Sequence, residues 1–275
     1  MRKFIGPKAL LDRLKKRMEK CRRLVLFLDY DGTLCPIAPR PEDARPGKHL
    51  PAILRRIEGT PDLTVAIVTG RPVRSIRNIL RLRKSWFAGT HGAEISMGFG
   101  RIKVVIDARK ARSAVLRIIR EIKPHIDSDF SLEDKGISIS LHYRLAKPAH
   151  ARTVRRIFRR IVTPYVRNRI LTLVSSKGAV EARPAAANKG LAIDAVLQEA
   201  GGSDAFCVAM GDDRTDADMF RKVRQRGVSV SVGGKFLAAD FRLAHPGHVT
   251  TFLKILIGFW KKKNRTRFRP FVTTH

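Results

Sequence analysis

The sequence predicts an α/β protein: a Rossmann-like parallel sheet flanked by helices, interrupted by a smaller inserted α+β domain. Three observations carry this prediction. Short apolar runs at 24–28, 63–68 and 205–210 alternate with segments of helical period. Runs that are apolar throughout suit strands covered on both faces, as in a parallel sheet. Each run ends in a polar turn: Asp29-Tyr30-Asp31-Gly32-Thr33, Thr69-Gly70-Arg71-Pro72 and Gly211-Asp212-Asp213. Between about 97 and 182 the pattern changes to strand stretches in pairs, separated by helices.

The elements follow in order. Residues 8–22 read as a basic amphipathic helix with Leu10, Leu11, Leu14 and Met18 on one face. The strand 24–28 comes next, then a helix over 52–57 with Pro51 at its start. After the strand 63–68, a helix over 72–82 carries Val73, Ile76, Ile79 and Leu80, and 86–88 is a short strand leading to Gly89-Thr90-His91-Gly92. In the inserted part, strands are expected at 101–107, 130–132, 137–142, 171–174 and 179–181. Helices are expected there at 110–123 and 148–162, the latter with Val154, Ile157, Phe158 and Ile161 as its apolar face. The parallel pattern then resumes. Lys189-Gly190 opens a helix over 191–200, and strands fall at 205–210 and 228–232. Residues 252–260 are a last helix or strand packed on the core, and Lys261-Lys262-Lys263 belongs to a basic tail. The expected divisions are 1–96 and 183–258 for the two parts of the parallel domain, 97–182 for the insertion and 259–275 for the tail.

Composition sets the outer bounds. At 275 residues and 44% hydrophobic, the chain can bury a sizeable core. Lys and Arg number 56 against 24 Asp and Glu, a net charge of +32. Such a field attracts anions (sugar phosphates, nucleic acid, anionic lipid) without choosing among them. The basic residues are spread along the whole length, which suits a solvated surface with non-specific anionic partners. Cys21, Cys35 and Cys207 have no metal-ligand spacing and read as reduced thiols of a cytoplasmic protein. No apolar stretch follows Met1-Arg2-Lys3, so no secretory signal is expected. No run approaches the ~20 apolar residues of a membrane span. A monomer is the expected state.

The chemistry sits at the strand ends. Asp29 and Asp31 stand two residues apart after a buried strand. Taken alone, that is an ordinary Asp-Gly turn. As chemistry, Asp29 suits a carboxylate nucleophile and Asp31 a proton donor and acceptor. Thr69-Gly70, at a helix start, suits a phosphate oxygen, and Lys189 suits its charge. Asp212, Asp213 and Asp216 form a carboxylate cluster, and clustered carboxylates repel unless a cation joins them; oxygen ligands suit Mg²⁺. In a parallel sheet all these ends open on one crevice.

These motifs resemble the haloacid dehalogenase (HAD) superfamily, and more closely its trehalose-6-phosphate phosphatase family. The likeness runs from about residue 24 to about 250. Leu-Asp-Tyr-Asp-Gly-Thr-Leu at 28–34, Val-Thr-Gly-Arg-Pro at 68–72, Asn-Lys-Gly at 188–190 and Gly-Asp-Asp-Arg-Thr-Asp at 211–216 are similar to the four superfamily motifs. His91-Gly92-Ala93-Glu94, Glu133-Asp134-Lys135-Gly136 with His142-Tyr143-Arg144, and Glu181-Ala182-Arg183-Pro184 resemble segments specific to the family.

The resemblance implies a HAD core with an inserted α+β cap of type C2, and Mg²⁺-dependent hydrolysis of trehalose 6-phosphate through an aspartyl phosphate. It implies Asp29 as nucleophile and Asp31 as general acid/base. Asp29, the Asp31 carbonyl and Asp212 would hold Mg²⁺, with Asp213 and Asp216 in support. Thr69 and Lys189 would bind the phosphate. Arg71, His91, Glu133, Lys135, Arg144, Lys177 and Glu181 would contact the substrate when the cap closes. Ser176, where the family has Gly, and Ala217, where it has an acid, depart from the pattern. Two alternatives stand beside this expectation. One is a phosphatase for another sugar phosphate, such as sucrose 6-phosphate or a glucosylglycerol phosphate. The other is a non-catalytic basic protein that binds nucleic acid or another anionic surface on the same scaffold.

Overall fold

A computed structural model of the chain describes residues 3–38, 43–176, 178–200, 204–233 and 239–267. It contains an eight-stranded sheet and a separate four-stranded one. The central strands of the large sheet are β1 (Leu24–Leu28), β2 (Leu63–Val68), β3 (Trp86–Gly89), β10 (Phe206–Gly211) and β11 (Gly227–Val232). All pair in parallel. The edges are β4 (Glu94–Met97) and β5 (Lys103–Val104) on one side and β12 (Phe241–Leu243) on the other, in the order β12-β11-β10-β1-β2-β3-β4-β5.

Every residue of β1 is buried because both faces are covered. Leu24, Leu26 and Leu28 point into one core with residues of α1 (Pro7–Lys20), α2 (Leu50–Glu58), α3 (Val73–Leu80) and α8 (Pro246–Arg267). Val25 and Phe27 point into the opposite core, against α6 (Lys189–Glu199) and α7 (Ala217–Val223). The amphipathic reading of the first helix matches its burial, since Leu10, Leu11, Leu14 and Met18 are the buried residues of α1.

The smaller sheet has the order β6-β7-β9-β8, formed by β6 (Ser131–Asp134), β7 (Ile139–His142), β8 (Leu171–Ser176) and β9 (Ala179–Pro184), all antiparallel. Strand alternation assigns its two faces. Ile139, Leu141, Val180 and Ala182 pack under α4 (Arg109–Ile122) and α5 (Pro148–Arg167), against Ile118, Ile122, Val154, Phe158 and Val162. Ser140, His142 and Glu181 take the other face.

Four local readings change. The strand expected at 101–107 is only the two-residue β5, and it belongs to the large sheet, pairing antiparallel to β4. β4, β12 and α7 carry no clear periodic signal because each is only three to seven residues long. The helix expected to end at 162 continues to Arg167 with Pro164 inside it. Tyr165, next to that proline, packs against the core of the small sheet, burial that helps offset the ~3 kcal/mol a proline costs in a helix interior. The tail expected from 259 is helical through Arg267, because Trp260 is fully buried and donates its indole N–H to Pro61 O at 3.0 Å. Residues 268–275 of that expected tail lie outside the described residues.

Candidate active site

The parallel register gathers the predicted motifs. Leu28 pairs with Met210 on one side and with Ile67 on the other, so Asp29, Asp212 and Thr69 emerge at neighbouring carboxyl ends of β1, β10 and β2. Strand order reverses direction at β1 and β10, the place where an open α/β sheet forms its crevice. Lys189, the first residue of α6, reaches the same place from the other layer. Its Nζ donates to Asp29 Oδ1 and to Asp216 Oδ1, both at 2.6 Å.

Oxygen atoms of Asp29, Asp212 and Asp216 lie within 4.8 Å of one another. Two close backbone approaches permit this. Gly32 has φ +86°, and a Cβ there would sit 2.2 Å from Asp212 Oδ2. A Cβ on Gly211 would sit 2.2 Å from Cγ of Asp216. The second Asp216 oxygen accepts from the N–H groups of Asp212 and Asp213 at 2.9 and 3.0 Å. Asp29 is 4% exposed, and its Oδ2 is buried with no hydrogen-bond partner.

Charge is unbalanced in this cluster. Burial pushes the Asp29 carboxyl well above its ordinary value, with Lys189 opposing and Asp216 and Asp212 adding to the rise. Burial raises Asp216 as well, against Lys189. Lys189 loses hydration on burial, but Asp216 and Asp29 hold its proton above the ordinary lysine range. One ammonium serves both Asp29 and Asp216, and a buried oxygen of Asp29 has no donor. The all-oxygen donor set fits a hard divalent cation.

Asp31 and Asp213, both expected near the metal, have side chains outside this trio. Asp31 is paired with Arg71 through two hydrogen bonds of 2.7 Å. Asp213 accepts from Thr215 N and Oγ1 at 2.7 and 2.6 Å, capping the turn after β10. Thr69 is buried, and its Oγ1 accepts the Arg71 N–H at 3.2 Å.

The small sheet supplies the opposite wall. Glu133 pairs with Ser140 and Ser140 with Glu181, so the three form one row across β6, β7 and β9. Glu181 accepts from Lys135 Nζ at 3.0 Å and lies 3.4 Å from His91 Nε2. Burial disfavours its charge, but Lys135 and His91 outweigh that and hold the carboxyl well below the usual range. Lys135 is held above its usual value despite burial, by Glu181 and Glu133. Burial lowers His91. His91 has φ +55° and stacks close to Gly70, where a Cβ would meet its Nε2 at 2.7 Å. Arg144 bonds to the Ala38 carbonyl of the core. Lys177 lies outside the described residues.

Both walls face a single cavity of about 620 Å³ that touches Asp29, Asp31, Thr69 and Lys189 as well as Glu133, Lys135, Arg144 and Glu181. Two contributors lie inside quoted motifs but received no role from the sequence. His142 contacts Glu133 Oε2 at 3.1 Å; its signal was its place two residues from Ser140 on the same face of β7. Tyr30 lies under Arg71, its ring centre 5.1 Å from the guanidinium carbon; no spacing rule marks it.

Comparison with known proteins agrees with this layout. The trehalose-phosphatase family model matches residues 27–243. The chain is 28% identical over 262 residues to probable trehalose-phosphate phosphatase H of Arabidopsis thaliana, covering 88% of this chain and 73% of that protein. The C-terminal domain of Candida albicans trehalose-6-phosphate phosphatase superposes with a TM-score of 0.80 at 22% identity, over 94% of this chain and 99% of that one. A haloacid dehalogenase-like hydrolase from Bacteroides thetaiotaomicron superposes with a TM-score of 0.60 at 14% identity, over 85% and 99%. These two structures share the fold: a mostly parallel α/β core with a cap. The match over most of its length, together with the acidic strand ends that the fold gathers, establishes that the chain belongs to the trehalose-phosphatase family and is a phosphatase.

Proposed function

We propose that the protein hydrolyses trehalose 6-phosphate to trehalose and phosphate, with Mg²⁺ and through a phosphoryl group carried on Asp29. The observation that carries this is the single cavity holding a nucleophile, a carboxylate cluster and a hydroxyl-gripping wall together. The family match supports the substrate. Asp29 and Asp212, with Asp216 and the Asp31 carbonyl, would hold Mg²⁺; Asp213 supports the loop. Bound there, the ion supplies positive charge against the phosphate oxygens.

An Asp29 carboxylate oxygen attacks phosphorus, and the bond from phosphorus to the sugar oxygen breaks. Asp31 gives that oxygen a proton. Asp31, now a carboxylate, takes a proton from the water that attacks the phosphoryl group and returns Asp29. Lys189 and Thr69 hold phosphate oxygens in line; Lys189 also offsets the charge of Asp29. Glu133, Lys135, Glu181, His91, Arg144 and Lys177 grip sugar hydroxyls as the cap closes and water is excluded.

The protein works as a monomer in the cytoplasm in this reading. Among the described residues no disulfide joins Cys21, Cys35 or Cys207, and Cys35 and Cys207 are buried. Among the described residues no helix is long and apolar enough to cross a membrane. Phosphate release measured over a panel of sugar phosphates, with Mg²⁺ and with chelator, tests the proposal. Turnover of trehalose 6-phosphate above the other esters, lost with chelator, is the expected result. A preference for a different sugar phosphate would replace the substrate, and metal-independent turnover would remove the ion.

A further inference from the structure

Among the described residues, Arg71 is the buried cation of the site that this scheme leaves without a clear task. Its guanidinium donates Nε–H to Asp31 Oδ2 and Nη2–H to Asp31 Oδ1, each at 2.7 Å. The Arg71 side chain is 8% exposed and that of Asp31 38%; both line the cavity, and the carboxylate is the more open of the two. The arginine is itself held on three sides. Its N–H donates to Thr69 Oγ1 and its carbonyl accepts from Thr90 N–H at 2.9 Å. Its guanidinium rests over Tyr30, whose hydroxyl donates to the Ala44 carbonyl at 3.0 Å.

A planar fork that engages both oxygens fixes the rotation of a carboxylate as well as its distance; an ammonium fixes distance alone. An arginine meant for the substrate phosphate would turn its fork toward the cavity. Arg71 gives its fork to Asp31.

We propose that Arg71 is a positioning residue for Asp31, aiming its carboxyl at the leaving sugar oxygen and then at water, and that it does not grip the substrate phosphate. This rests on the reading of Asp31 as proton donor and acceptor. Its consequence is selective. A sugar oxygen is a poor leaving group and needs a well-placed proton, whereas p-nitrophenolate leaves without one. Misplacing Asp31 therefore harms the sugar ester more than the aryl ester.

The test compares Mg²⁺-loaded wild type, Arg71→Ala, Arg71→Lys and Asp31→Asn on trehalose 6-phosphate and p-nitrophenyl phosphate. For Arg71→Ala, kcat/KM on the sugar ester should fall about 100-fold and on the aryl ester less than about 5-fold, within the range of a misplaced general acid. Arg71→Lys should lose nearly as much, since it keeps charge without the fork. Added guanidinium should restore part of the sugar-ester activity of Arg71→Ala and none to wild type. Inhibition by inorganic phosphate should stay within about 3-fold of wild type, a readout of uniform binding.

Equal losses on both esters, weakened phosphate inhibition or full activity of Arg71→Lys would each overturn the positioning role. If Arg71→Ala does not fold, Arg71→Lys carries the same comparison. Asp31→Asn separates the two readings: without leaving-group selectivity in that variant, the role of Asp31 fails and that of Arg71 with it. Selectivity in Asp31→Asn but not in the Arg71 variants overturns the role of Arg71 alone.

Discussion

Around Asp29, oxygens of three carboxylates lie within 4.8 Å of one another, and two of them, Asp29 and Asp216, share the ammonium of Lys189. Across the cavity, Glu181 faces both Lys135 and His91, and Glu133 faces His142 and Lys135. Burial disfavours charge in both clusters, yet their carboxylates shift in opposite directions. On the core side it raises Asp29 and Asp216, because too little positive charge offsets the lost hydration. On the cap side Glu181 nevertheless falls, because the Lys135 ammonium and the neighbouring His91 outweigh burial. Each cluster leaves one buried carboxylate oxygen without a hydrogen-bond donor, Asp29 Oδ2 and Glu181 Oε1; under the proposed function the first would meet Mg²⁺ and the second a sugar hydroxyl. A buried charge that is unpaired is costly, and one that is paired is merely neutral or modestly favourable.

Removing the nucleophile is the sharpest way to probe the core side. Asp29→Asn should lower kcat by roughly 10⁴-fold or more on every ester, as loss of a covalent nucleophile does, while circular dichroism shows an intact fold. Appreciable turnover in that variant would break the covalent scheme.

The cap side should respond selectively. Glu181→Ala should cut kcat/KM for trehalose 6-phosphate about 100-fold, as expected when a polar grip on substrate is lost, and that for p-nitrophenyl phosphate less than about 5-fold. Glu133→Ala should do the same more weakly, since Glu133 is the more exposed of the two. Parallel losses on the two esters would mean that the small sheet supports the core and does not recognise sugar.

Cation binding should separate the clusters thermodynamically. At about 100 times its dissociation constant, Mg²⁺ should add about 2.7 kcal/mol to unfolding, read as a higher Tm. Asp212→Asn should lose most of that gain and Glu181→Ala none of it. Equal gains in all three proteins would place the ion elsewhere.

The smallest effect lies in the pH dependence of the cap pair. Glu181 titrates below its ordinary value of 4.5, so its contribution is present above 4.5 and is lost as pH falls through the depressed value. Lys135 titrates above its ordinary 10.5, so its contribution is complete below 10.5 and is lost as pH rises through the raised value. A double-mutant cycle of Lys135→Met and Glu181→Gln should give a coupling of about 1–3 kcal/mol that is flat from about pH 5 to 9. A coupling that already fades between those limits would show that the two side chains are not partners in solution.

The long central strands were legible because their signal is local. Leu24–Leu28 and Leu63–Val68 are apolar at every position that a covered sheet needs apolar, and the structure reproduces both bounds. The helices over Val73–Leu80 and Arg109–Ile122 were legible for the same reason, through their 3.6-residue period. Phe241–Leu243 was not legible, since three residues define no period and their strand identity comes from pairing with β11. In the site, Asp29 stood out by its neighbours in sequence, whereas Lys189, one of 56 basic residues, stood out only through the resemblance of Asn188-Lys189-Gly190 to a family motif. The choice between Asp213 and Asp216 did not: both are carboxylates of one short run, and only the turn that points Asp216 at Lys189 and Asp213 at Thr215 tells them apart.

The sequence by itself therefore determined the fold class, the order of the longer strands and helices, and which strand ends and helix starts carry carboxylates, a hydroxyl and a lysine, because these follow from patterns over a few consecutive residues. Tertiary structure alone decided which charge meets which. In a chain with 56 basic residues no carboxylate has a designated partner. Arg71 comes to Asp31 from 40 residues away and Lys189 to Asp29 from 160. Glu133 joins Glu181 in one row only through the register of β6, β7 and β9. Charges are long-ranged and non-directional until burial removes water and strand register fixes distance, so their pairing is a property of the packed molecule.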